Sequence, residues 1–136
     1  MYKRQPWLAT GFFKEKLDML ELPGVRFEEI EYKPQGTIYN KIIPKYINRF
    51  CSGLKIIVED KYLVKPVEVA TTIITLIDRL HPREFQWAPH GYIDKLYGSN
   101  QLRLFVAQKK SPSYLPPQYM HDEIEFSKFR KKFLLY

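Results

Sequence analysis

The sequence lacks the residue patterns of several common functional classes. It has one cysteine, Cys51, in 136 residues, so an internal disulfide is impossible and a cysteine-based zinc site is not expected. Its six glycines are isolated and form neither a dinucleotide-binding nor a phosphate-binding loop. The three histidines have no metal-ligand spacing, and no apolar run approaches the roughly 20 residues that span a bilayer. We therefore expect no metal, no cofactor and no membrane span.

Positive charge, in contrast, is in excess. Lys and Arg number 22 against 15 Asp and Glu, and the formal net charge of +7 attracts polyanions such as nucleic acid or cell-wall polymers. The basic residues are spread along the chain, whereas nucleic-acid binders usually gather them on one element together with stacking aromatics. We therefore expect no nucleic-acid partner. A hydrophobic content of 45% is typical of a folded domain.

The apolar periodicity predicts an alternation of helices and strands. Strands are expected at residues 25–32 and 54–58, and a change of phase at Glu28-Glu29 indicates a bulge or an edge strand. Helices are expected from Thr10, between Pro66 and Pro82, from Ser99 and from Asp122. The β-branched residues of the second helix leave a strand open as an alternative. The predicted fold class is α+β or α/β, with a small mixed sheet packed by amphipathic helices in a single domain.

Apolar residues form one stripe in the second helix and one in the last. In the second helix the stripe should pack against Leu54, Ile56 and Val58, with threonines on the opposite, polar face. The stripe consists of Ala70, Ile73, Ile77 and Leu80, and the threonines are Thr71, Thr72 and Thr75. The last helix carries Phe126, Phe129 and Phe133 on one stripe.

Several carboxylates are candidates for catalysis, because glycoside hydrolysis requires only two carboxylates facing a sugar. They are Glu28, Glu29 and Glu31 on one strand, Glu59 and Asp60 after the next, and Asp94 in an aromatic loop. Each is also explained as a solvated charge or a cap, and Asp94 is the best candidate for a specific structural role. Cys51 is interpreted as a small core residue. No catalytic residue is assigned from the residues alone.

Several short segments, in order and spacing, resemble the C-terminal half of the peptidoglycan exo-β-N-acetylmuramidase family NamZ. His81 stands where that family commonly has tyrosine, and residues 1–5 do not resemble the family. We interpret residues 1–5 as a non-native or disordered leader and residues 6–136 as the NamZ-like domain. The segments that carry the resemblance are Pro6-Trp7 and residues 22–27, 32–34, 44–46, 51–54, 81–87, 92–99 and 129–136.

The resemblance implies a function that the residues alone do not. Family members are longer and have a Rossmann-like N-terminal half, absent from this chain, that is expected to carry the catalytic carboxylate. This chain would then be an accessory domain that forms one wall of the substrate pocket and is inactive alone. The parent glycosidase would release terminal N-acetylmuramic acid from the non-reducing ends of peptidoglycan-derived muropeptides or disaccharides. The resemblance also implies an extracytoplasmic location, periplasmic or secreted.

Two irregular loops, residues 35–49 and 87–97, are expected to face the N-terminal half and its substrate, because loops of this length are usually functional or mobile. The alternative is that the first loop is a mobile insertion and that Trp87 packs into the core. The substrate-binding candidates are Tyr39, Asn40, Lys45 and Tyr46 in the first loop, and Trp87 and His90 in the second.

Two other functions remain open at this point. The chain could be a stand-alone binding module for an anionic polymer, either cell-wall glycan or nucleic acid, without enzymatic activity. It could also be a purely structural domain that stabilises its partner.

Overall fold

The computed structural model describes residues 2–4, 8–35, 46–108 and 117–134 of the chain. The chain divides into two compact units, residues 1–69 and 70–136. The first contains β1 (Tyr2–Arg4), α1 (Thr10–Asp18), β2 (Val25–Tyr32) and β3 (Cys51–Val58), and α2 (Pro66–Leu80) begins in it and continues into the second. The second also contains α3 (Tyr92–Tyr97), α4 (Gln101–Ala107) and α5 (Pro117–Arg130), with short 3-10 helices at Pro89–Gly91 and Lys131–Phe133.

The sheet has the strand order β1-β3-β2, with both pairings antiparallel. The α+β class is therefore confirmed, and the described strands do not show the expected mixture of directions. The register of β2 and β3 runs without interruption from Val25 opposite Val58 to Tyr32 opposite Cys51. Of the two explanations for the change of phase in β2, the edge strand is thus correct.

Strand β1 lies within the predicted leader. Lys3 is opposite Leu54 and Arg4 is opposite Gly53 in the pairing with β3. Three residues are too few to show a periodic pattern, so no strand was predicted here. Residues 2–4 form a strand, and the interpretation of residues 1–5 as a non-native or disordered leader stays a prediction.

The first unit has its core between α1 and the sheet. Phe13 and Leu17 of α1 are buried, as are Phe27 of β2 and Leu54 of β3, and α1 packs on both strands. The turn before β2 requires glycine at position 24, where φ is +71°. A Cβ atom there would lie 2.5 Å from the carbonyl oxygen of Asp60, which is closer than real Cβ contacts.

Helix α2 begins at Pro66, as predicted, but is buried more widely than one stripe. Thr71, Thr72 and Thr75 are buried, whereas Ala70 is exposed, so the assignment of the threonines to a solvent-facing side is wrong. A threonine side chain is short and has a methyl group, which makes its burial cheap when the hydroxyl finds a partner. The expected partner face on β3 is also less uniform than predicted, because Val58 is 54% exposed. Packing of α2 against that strand stays a prediction.

The second unit contains the helices that follow the aromatic loop. Leu102, Phe105 and Val106 of α4 are buried, and α4 packs on α3. Residues 92–97 were expected to be loop but form α3, whose six residues are too few for a periodic signal. None of the helices in the described part of the chain is long and apolar enough to cross a membrane.

Candidate functional site

The loop between β2 and β3 is closed at its base. The backbone N–H of Asn48 donates to the carbonyl of Pro34 at 3.1 Å, and Pro34 is buried. The N–H of Arg49 donates to the carbonyl of Tyr46, also at 3.1 Å. We call this base, residues 33–35 and 46–50, the loop neck. Because its two sides are hydrogen-bonded to each other, it fixes where the rest of the loop leaves the sheet.

Four substrate-binding candidates were predicted in this loop. Tyr39, Asn40 and Lys45 lie outside the described residues. Tyr46 is half-buried in the loop neck, and its φ of +66° is rare for a bulky aromatic residue. Strained backbone of this kind is concentrated at functional sites, and the substrate-binding role of Tyr46 stays a prediction.

An exposed aromatic ring and an ammonium group meet at the loop neck. The Nζ of Lys33 lies 5.7 Å from the centre of the Phe50 ring, and Phe50 is 74% exposed. Next to Phe50, the Cys51 thiol is buried and donates to the carbonyl oxygen of Arg49 at 3.7 Å. The interpretation of Cys51 as a core residue is therefore confirmed, and Lys33 and Phe50 are both exposed at the loop neck.

Lys33 and Phe50 were not among the predicted site residues. The strand register would have predicted that they lie close together. Tyr32 is opposite Cys51 at the end of the pairing, and the next residues outward are Lys33 and Phe50. Neither residue stands out in its own sequence segment. Their proximity depends on a pairing between residues on either side of a long loop.

The two candidates in the aromatic loop lie in the second unit. Trp87 is half-buried, and its ring meets the ring of Phe85 edge to face with 4.9 Å between centroids. His90 is exposed, and its φ of +60° places it in a left-handed turn between Pro89 and Gly91. Trp87 therefore has a packing partner, whereas the imidazole of His90 points into solvent-accessible surroundings.

Asp94 forms a two-pronged ion pair with Arg103. Nε of Arg103 donates to both carboxylate oxygens at 3.2 Å, and Nη2 donates to Oδ2 at 2.7 Å. The hydrogen bonds from Arg103 hold the pKa of Asp94 below its usual value, and they raise the pKa of Arg103. The pair joins α3 to α4, so the expected structural role of Asp94 is confirmed.

The carboxylates of the sheet also have local partners. Glu28 accepts a hydrogen bond from Arg26 and lies 3.8 Å from Lys55, and the bond from Arg26 lowers the pKa of Glu28. Glu59 lies 2.8 Å from Arg26, and Asp60 accepts a hydrogen bond from the N–H of Tyr62 at 2.8 Å. A general acid needs a raised pKa, so the environment of Glu28 suits a carboxylate and not an acid.

The described residues contain no group of three or more His, Cys, Asp or Glu side chains that could hold a metal ion.

The chain matches the sequence model of a known protein family. The sequence model of the family described as exo-beta-N-acetylmuramidase NamZ, C-terminal, matches residues 3–136. The chain belongs to this family. The resemblance seen in the sequence is therefore confirmed, and the matched region includes three residues of the stretch 1–5 that had been set apart.

Two relatives place this NamZ family domain within longer proteins. The peptidoglycan beta-N-acetylmuramidase NamZ of Bacillus subtilis (strain 168) is 28% identical over 131 residues, which are 96% of this chain and 30% of that protein. The crystal structure of a DUF1343 family protein from Bacteroides fragilis NCTC 9343 matches with a TM-score of 0.76 at 20% identity. That match covers 98% of this chain and 34% of the other, so the chain spans about a third of the length of these relatives.

Proposed function

We propose that this domain is the accessory C-terminal part of a cell-wall glycosidase that releases terminal N-acetylmuramic acid from the non-reducing ends of peptidoglycan fragments. Its role there is to form one wall of the substrate pocket, while an N-terminal portion supplies the catalytic carboxylate. The family supports the class of reaction, and the Bacillus subtilis relative is a peptidoglycan beta-N-acetylmuramidase. A substrate of this kind implies an extracytoplasmic location.

The single observation that carries the pocket-wall role is the pairing of Lys33 with the exposed ring of Phe50. Muramic acid presents two features to a protein, an apolar face of C–H groups and the carboxylate of its lactyl group. An aromatic face suits the first and an ammonium group suits the second. The loop neck offers both within one sugar's width, and Tyr46 adds a hydroxyl close to them in the sequence.

A sugar titration tests this role directly. N-acetylmuramic acid and N-acetylglucosamine differ by the lactyl group, so a site that reads the carboxylate must bind the first more tightly. We expect dissociation constants on the order of millimolar for one wall of a pocket, and about a tenfold preference for the muramic acid, measured from NMR shifts. Equal binding of both sugars, or a tenfold preference for duplex DNA over muropeptides, would refute the proposal.

The chain provides a matched control for the site residues. Lys16 lies 5.1 Å from the centre of the exposed Phe12 ring on α1, which is a lysine–phenylalanine pair of the same kind away from the loop neck. Phe50→Ala and Lys33→Met should each weaken binding of the muramic acid severalfold. Phe12→Ala should leave it unchanged, and a similar loss in that variant would indicate nonspecific binding to surface aromatics.

Activity tests the rest of the proposal. The chain alone should not hydrolyse a chromogenic muramic acid glycoside, because the proposal places the catalytic carboxylate in the N-terminal portion, and because Glu28, Glu59 and Asp94 are each paired with an arginine. Joined to an N-terminal portion of a NamZ relative, the chain should support turnover. Lys45→Ala and Tyr46→Phe should then lower kcat/KM about tenfold, which is about 1.4 kcal/mol of transition-state stabilisation. If kcat/KM of both variants stays within twofold of the parent, neither residue is part of the pocket.

A further inference from the structure

Helix α5 carries a stripe of residues on one face that is polar at its beginning and apolar at its end. Tyr119, Asp122, Phe126, Phe129 and Phe133 follow one another at alternating spacings of three and four residues, which places them on one face of a continuous helix. The face begins with two polar residues and ends with three phenylalanines. The two parts of the stripe have different surroundings.

In the first part of the stripe Tyr119 is partly buried, whereas Asp122 is exposed. The hydroxyl oxygen of Tyr97 on α3 is buried without a hydrogen bond in the described part of the chain. Burial raises the pKa of Tyr97, and the nearby Tyr119 and Asp122 raise it further. The beginning of α5 therefore lies near the end of α3.

The second part of the stripe is open to solvent. Phe126, Phe129 and Phe133 are 63%, 56% and 66% exposed, and the rings of Phe129 and Phe133 lie 5.1 Å apart. Isolated exposed apolar side chains are common on protein surfaces, but an ordered row of three phenylalanines marks an interaction surface. We call these three residues the phenylalanine stripe.

We propose that the phenylalanine stripe is the docking surface for the protein portion that the longer relatives carry outside this domain. The proposal rests on the proposed function, in which the domain works with an N-terminal portion. This domain accounts for only 30% and 34% of the two relatives, so most of each protein is available as a partner surface. The surface that fits is an apolar groove bordered by carboxylates, because Arg130, Lys131 and Lys132 lie next to the stripe.

The area of the stripe favours this occupant over a second copy of the chain. Three phenylalanines at these exposures present on the order of 300 Å². A stable dimer usually buries about 800 Å² on each partner, so the stripe is too small to hold two separate chains together. A partner within the same polypeptide needs less area, because the covalent connection supplies an effective concentration on the order of millimolar.

The test joins this chain to the N-terminal portion of the Bacillus subtilis relative in one polypeptide and measures backbone hydrogen exchange in α5, with the chain alone as the reference. We expect exchange near the stripe to be about tenfold slower in the joined protein, and both Phe129→Ser and Phe133→Ser to remove that slowing. Ile124→Ser is the matched control, since Ile124 is equally exposed on α5 but lies on the opposite face. It should keep the slowing to within about twofold of the parent.

Three results would overturn the proposal. They are the same hydrogen exchange in α5 in the joined protein and in the chain alone, the same exchange in all three serine variants, and a dimer of the chain alone that Phe129→Ser abolishes in sedimentation experiments. Circular dichroism of each variant separates loss of docking from loss of folding. The sugar titration is independent of α5, so the pocket-wall role can stand when the docking surface fails.

Discussion

Helices α2 and α5 have the same kind of sequence pattern and opposite surroundings. Each has one apolar stripe, and the stripe of α2 was predicted to be buried. In α2, Ile73 and Ile77 are 3% and 6% exposed, whereas the phenylalanine stripe of α5 is more than half exposed. Periodicity thus identifies the apolar face of a helix, but it does not predict whether that face is buried within the same domain.

The other faces of the two helices explain part of this difference. Helix α2 has few charged residues and also buries Thr71, Thr72 and Thr75, so it is surrounded on more than one side. Helix α5 is exposed on all described sides from His121 onward. A helix with charges around most of its circumference can lie at the surface of a core but not inside it.

The largest expected effect of a substitution is in α2. Ile73→Ala and Ile77→Ala remove buried methyl and methylene groups, and each should lower the free energy of unfolding by about 2–5 kcal/mol. Urea denaturation measures the change. Losses below about 0.5 kcal/mol at both positions would mean that the face is not buried, and the contrast with α5 would disappear.

A second substitution in α2 should have the opposite sign. The Thr75 hydroxyl is fully buried without a hydrogen bond to any described residue, and valine has nearly the same shape. Thr75→Val should therefore raise the free energy of unfolding by about 1 kcal/mol. Thr72 is equally buried but is not without a partner, so Thr72→Val should not stabilise. A gain at both positions would contradict this assignment.

The ion pair between α3 and α4 lies between the two extremes, since Asp94 and Arg103 are partly exposed. Asp94→Asn should destabilise the chain at neutral pH, by less than Ile73→Ala. The folded state lowers the pKa of Asp94, so its contribution is present above the usual pKa of 3.8 and is lost as the pH falls through the folded value. The difference between parent and variant in thermal melts should therefore vanish at low pH. A difference independent of pH would show that charge is not its cause.

The smallest effect on stability is expected at the phenylalanine stripe. In the chain alone, Phe129→Ala should change the free energy of unfolding by less than about 0.5 kcal/mol, because its ring is already largely in water. The same urea experiment used for Ile73→Ala gives the comparison. A loss above about 2 kcal/mol would mean that the stripe is part of the core of this unit.

Local signals predicted much of the fold correctly. Pro66 begins α2, and the alternation over Val25–Tyr32 matches β2. The wrong predictions concern segments that are too short to show a period, and residue types that occur on both buried and exposed faces. Helix α3 and strand β1 are too short for a period, and threonine is compatible with both a buried and an exposed helix face.

The candidate site was harder to predict than the fold. The chemistry of the first loop led to Tyr46, which the structure places in the loop neck. Lys33 and Phe50 come together only because the sheet pairs residues on the two sides of a long loop, and no local pattern reports such a pairing. Asp94 was recognised from its loop, but its partner Arg103 is on the next helix.

The closed loop neck has a consequence for how the family can diversify. The hydrogen bond between Asn48 and Pro34 closes the base of the loop. The pairing of β2 with β3 therefore does not depend on the sequence or length of the loop beyond it. Doubling the length of a flexible loop costs only about 0.6 kcal/mol in closure entropy. Insertions and deletions between these two residues should therefore cost little stability and leave the ring of Phe50 and the charge of Lys33 in place.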